Sequence, residues 1–61
     1  MSLADAIKTG KRFINPDMLT YLHVEDDMIV FEKYKSGQNG DDNIYYVFAN
    51  DITRTDWEIE P

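Results

Sequence analysis

The sequence predicts a small α+β domain, with one short N-terminal helix packed on a mostly antiparallel, twisted sheet of four to five strands. Three observations predict it. The chain opens with Leu3, Ala6 and Ile7 at helical spacing. It closes on strict alternation, with Trp57 and Ile59 against Asp56, Glu58 and Glu60. Between the two lie runs rich in Val, Ile, Phe and Tyr, parted by turn residues.

The helix starts at Ser2, a capping residue, with Asp5 three positions on in place of the more usual Glu or Gln. Gly10 suits the left-handed residue that ends it, and Lys8 and Lys11 suit its negative end. A helix of about seven residues does not hold alone in water, so it must dock. Lys11 to Ile14 reads as a first strand, stopped by Asn15-Pro16-Asp17. Met18 to Val24 reads as a second, Glu25-Asp26-Asp27 as a polar turn, and Met28 to Lys35 as a third. Ser36 to Asn43, with Gly37, Asn39 and Gly40, is the expected hairpin loop. Ile44 to Phe48 is the expected fourth strand, placed at the centre of the sheet. Asn50 or Asp51 is expected to cap a single turn before the last strand. Burying the sole tryptophan, Trp57, is worth roughly 4–6 kcal/mol as an upper bound. A chain of this size has a net stability of only about 3–9 kcal/mol, so Trp57 is central to it.

Sixty-one residues make a single domain, 1–61, near the lower limit for independent folding. There is no cysteine to staple it or to build a zinc framework, and a single histidine. Domains of this kind often gain stability by oligomerising. No apolar run is long enough to span a bilayer, and no signal peptide is visible, so a soluble intracellular chain is expected. Twelve carboxylates against six Lys and Arg give a net charge of −6. That balance disfavours DNA, RNA and anionic membranes as partners, but leaves room for one small anion in a locally basic pocket.

Strands three and four are apolar on both sides, and one short helix cannot cover both faces of the sheet. The second face should meet another subunit, a ligand or a partner, and a homo-oligomer is the favoured solution. His23 has no nucleophile to serve, so it reads as a solvent-facing strand residue. The pairs Asp26-Asp27 and Asp41-Asp42 lack calcium-loop spacing, and Gly37 to Gly40 lacks the Lys-Ser/Thr of a phosphate loop. No cofactor is called for, and the chain does not read as an enzyme. Lys11, Arg12 and Arg54 flank the aromatic strands, where Arg can clamp a phosphate and an aromatic ring can stack on a base. From the residues alone the favoured role for these cations is plain surface pairing with carboxylates such as Asp51 and Asp56. The carboxylate stripe Asp56, Glu58, Glu60, spaced about 6.8 Å apart, could mimic a nucleic-acid backbone or simply face water.

The segments Ser2 to Arg12 and Asn50 to Glu58 carry a further signal. The first is a short helix followed by Gly-Lys and a basic strand. The second is a turn with an Asp-apolar pair leading into Asp-Trp-Glu. Together, over about a third of the chain, they resemble the small phage domain known as the Thoeris anti-defence sponge. The resemblance implies an oligomer that binds and sequesters a cyclic ADP-ribose-type signal, or a cyclic oligonucleotide, without cleaving it. It implies ligand pockets between protomers and action in the cytoplasm of an infected host cell. It carries a binding role onto Lys11, Arg12, Asp51, Asp56 and Trp57, with a structural role favoured for Trp57. The chain departs from the family in a shorter middle and in Asn15-Pro16-Asp17-Met18, where a tryptophan is usual. The competing function is a small acidic protein-interaction module, or an inhibitor of a host protein.

Overall fold

Ser2 begins the first element. Its side chain accepts the Asp5 N–H at 3.1 Å and caps α1, Leu3–Lys8. The Gly10 N–H bonds the Ile7 carbonyl at 3.2 Å, and Gly10 turns out of the helix with a φ of 75°. Both ends of α1 are therefore where the sequence puts them. Leu3 and Ala6 are its buried stripe. The structure is a computed structural model, and it describes residues 1–31 and 43–61. The predicted loop from Ser36, the end of the third predicted strand and the Asp41-Asp42 pair lie outside these residues, apart from Asn43.

Four strands follow: β1 (Phe13–Ile14), β2 (Leu22–Glu25), β3 (Met28–Phe31) and, after the short helix α2 (Ala49–Thr53), β4 (Glu58–Ile59). They form one antiparallel sheet in the order β3-β2-β1-β4. The fold is the expected α+β domain. Several strands are shorter than the sequence suggests, because β1 starts at Phe13 and β2 only at Leu22. The Asn15 side chain accepts the Asp17 N–H at 2.9 Å, and the Asn15 carbonyl accepts the Met18 N–H. That local turn occupies the stretch where β2 was expected to begin. The β2–β3 turn is Asp26-Asp27, both left-handed, with φ of 51° and 64°. Positive φ at both central residues of a two-residue loop is the mark of a type I′ turn, whose twist matches the strands it joins.

The largest departure concerns Ile44 to Phe48. Ile44 makes one bridge to Val30, and the Tyr45 N–H bonds the Ile29 carbonyl at 2.8 Å. Residues 46–48 then leave the sheet. The segment lies against the outer edge of β3, and the strands flanked on both sides are β1 and β2. The cause is local. The Asp51 carboxylate accepts the Phe48 N–H at 2.8 Å, which turns the backbone into α2 before a strand can extend. Phe48 occupies the cap position and Asp51 caps from the third helical position, so neither Asn50 nor Asp51 is the cap residue itself.

The core lies between α1 and one face of the sheet: Leu3, Ala6, Phe13, Leu22 and Trp57, with Ile29, Phe31, Tyr45 and Ile59 packed around it. Phe13 and Trp57 meet edge to face, with ring centroids 5.9 Å apart. The closing alternation holds at Trp57, 1% exposed between the solvent-facing Asp56 and Glu58, whereas Ile59 and Glu60 are both half-buried and the strand itself spans only Glu58–Ile59. Among the described residues no helix is long and apolar enough to cross a membrane.

Candidate functional site

The strand register decides which predicted site residues meet. Phe13 pairs with Leu22 on one side and with Ile59 on the other. One residue earlier, Arg12 therefore stands opposite Glu60 across β4 and opposite His23 across β2, on the face away from α1. The Glu60 N–H bonds the Arg12 carbonyl at 2.9 Å, and the two side chains form a bidentate ion pair, with Nε to Oε2 at 2.5 Å and Nη2 to Oε1. On the diagonal, the guanidinium of Arg12 lies over the ring of Tyr21, 5.3 Å from its centroid. The Arg12 hydrogen bond and charge, with the charge of Lys11 added, hold the Glu60 carboxyl below its usual range against a partial desolvation. Lys11 itself is exposed, and its backbone N–H is tied to the Thr9 hydroxyl. His23 is half-buried rather than solvent-facing, with Nε2 3.1 Å from Glu25 Oε2.

Arg54 belongs to a second cluster. It grips Asp56 through two bonds, at 2.5 and 2.9 Å, and reaches Asp17 at 3.0 Å. The two carboxylates raise the Arg54 pKa, chiefly through the Asp56 hydrogen bond, and the same bond lowers Asp56. Arg54 thus ties the Asn15 turn to the approach to β4, and its charge is already matched by two acids.

Asp51 and Trp57 point inward. The Trp57 Nε1–H donates to the Asp51 carbonyl at 2.9 Å, and the Asp51 carboxylate accepts from the Tyr45 hydroxyl at 2.8 Å as well as from Phe48. Burial first, and then the bond to Asp51, push the Tyr45 phenol up to about 12. Asp51 and Trp57 are both buried, so within one protomer neither offers a face to a ligand. The Met1 backbone closes over Trp57: the Trp57 N–H donates to the Met1 carbonyl, and the Met1 amino group donates to the Thr55 and Trp57 carbonyls.

Of the six expected site residues, Lys11 and Arg12 adjoin, Arg54 and Asp56 pair, and Asp51 and Trp57 brace the core. Tyr21 and Glu60 were missed as partners of Arg12. The signal that would have found them is the pairing register, which the sequence does not contain. Among the described residues no group of His, Asp and Glu is placed to hold a metal ion. Comparison with protein-family models, with curated proteins and with solved structures returns no match.

Proposed function

We propose that this chain is a viral anti-defence protein that binds and sequesters a nucleotide-derived immune second messenger, of cyclic ADP-ribose or cyclic oligonucleotide type, without cleaving it. In this reading it works in the cytoplasm of an infected cell as a homo-oligomer with clefts between protomers. One observation carries the proposal: on the sheet face opposite α1, Arg12 is stacked on Tyr21 with Lys11 next in the chain. A planar cation beside an aromatic ring is the pair of groups that a phosphate and its base require. Among the described residues Glu60 pairs with the guanidinium in a bidentate, part-exposed ion pair, and a bound phosphate would have to displace it. Asp56 and Arg54 neutralise one another, and they support the cleft rather than clamp the ligand.

The test is a thermal-shift series with cyclic ADP-ribose isomers and cyclic dinucleotides. At least one should raise the melting temperature, and Arg12→Ala should abolish the rise while the variant stays folded. The absence of any shift at high excess removes the reading.

A protein-interaction module is the second reading, favoured by the exposed apolar side chains Tyr46, Phe48 and Ile52. The acidic-stripe version is weakened, because Asp56 and Glu60 are taken up by Arg54 and Arg12. A stoichiometric host protein retained at high salt would favour this reading over the first.

A further inference from the structure

We propose that Glu60 is a built-in competitor at Arg12: its carboxylate holds the place of an incoming phosphate and sets the affinity that an anionic ligand must exceed. The inference rests on the preceding reading of Arg12 as the phosphate contact, and adds the regulation of that contact.

The fold imposes the competition. Phe13 pairs with Ile59, and the Glu60 N–H bonds the Arg12 carbonyl at 2.9 Å, so the ladder itself sets the two side chains opposite one another. The carboxylate takes the guanidinium through Nε, at 2.5 Å, and through Nη2. These donors form the planar fork with which an arginine grips two oxygens of a phosphate. The charge of Lys11 bears on the same carboxyl group. Tyr21 lies against the guanidinium, with its ring centroid 5.3 Å away. The two Glu60 oxygens therefore draw on the cations that a phosphate would use.

Strength and tethering decide what can displace it. The Arg12 and Glu60 side chains are 38% and 34% exposed, so solvent screens the pair and it can open. Glu60 is nonetheless attached through β4, and a tethered group acts at an effective concentration of about a millimolar or more. A free monoanion below that level leaves the pair closed. A ligand prevails by bringing a contact that one carboxylate lacks, such as a second phosphate for Lys11. Its apparent affinity is the intrinsic one reduced by the fraction of molecules in which the pair is open. Glu58 supplies the control. It carries the same charge on the same strand, but it stands opposite Ile14.

The probe is inorganic pyrophosphate, titrated from about 10 μM to about 20 mM against the full chain and followed by amide chemical shifts. Glu60→Gln should bind it about fivefold more tightly than the wild type. Glu60→Ser, too short to reach the fork, should gain at least as much. Glu58→Gln, with the same loss of charge, should change affinity less than about twofold. Adding Arg12→Ala to Glu60→Gln should remove binding. Unchanged tryptophan emission checks the fold, since Trp57 is buried in the core. Equal affinity in the wild type and both Glu60 variants overturns the proposal. So does an equal gain in Glu58→Gln, a failure of both Glu60 variants to bind, or binding that survives Arg12→Ala. Tighter pyrophosphate binding in the Glu60 variants with no thermal shift from any cyclic nucleotide rejects the messenger reading alone. A nucleotide shift that the Glu60 variants leave unchanged rejects the competitor alone.

Discussion

Asp51 is the side chain on which the second half of the chain converges. Its carboxylate holds the Tyr45 hydroxyl and the Phe48 N–H, and its carbonyl holds the Trp57 indole. Hydrogen bonds to a charged group contribute about 1.5–3 kcal/mol each, and their loss leaves two part-buried donors without that partner. Asp51→Ala is therefore expected to cost about 2–4 kcal/mol, read as a lower urea midpoint at unchanged slope. Tyr45 gives a pH signature. Its folded pKa is raised to about 12 from an ordinary 10.0, so the phenol stays protonated in the fold while the unfolded chain ionises. The unfolded state then binds fewer protons, and stability falls as pH rises from about 10 to about 12. Tyr45→Phe should flatten that decline in melts followed across the alkaline range. The sequence marked Trp57 as buried through its alternation. The use of Asp51 as a buried brace went unread, because a lone Asp in a polar stretch gives no sign of which donors will surround it.

At the scale of elements, local chemistry was legible where its partners are near in sequence. Ser2, Asp5 and Gly10 delimit α1 as expected, because capping bonds span only a few residues. The Asp26-Asp27 turn is also where it was placed, but its left-handed backbone suits glycine better than aspartate. Asp27→Gly should stabilise the β2–β3 hairpin by about 0.5–1 kcal/mol, measured by chemical denaturation. The segment 44–48 shows where pattern reading stops. Its composition is that of a central strand, yet one side-chain bond, Asp51 to the Phe48 N–H, turns it into a helix cap at the sheet edge. β propensity measures fit to a pleated, half-buried surface, and a competing cap overrides it.

Over the whole molecule, α1 covers one face of the sheet, and the other carries Glu60, Arg12, His23 and Tyr21. The two arginine clusters link distant parts of the chain: Arg12 joins β1 to β4, and Arg54 joins the Asn15 turn to the approach to β4. Asp56 and Glu60 both have folded pKa values below their ordinary ones, each chiefly through its arginine hydrogen bond. A depressed carboxylate contributes stability above its unfolded pKa and loses it as pH falls through the folded value. Melting temperature should thus fall below about pH 4, with a shallower fall in Arg54→Met and Arg12→Met. Both variants should also lose part of their salt sensitivity, because the pairs lie near solvent.

Fold class, the single short N-terminal helix and the burial of Trp57 were readable from the chain, since each rests on a periodicity or a cap complete within a few residues. Strand order, the edge position of Ile44 and the meeting of Arg12 with Glu60 and Tyr21 required the folded register. These are pairings between residues up to 48 positions apart, and only the packing of β1 between β2 and β4 brings them into contact.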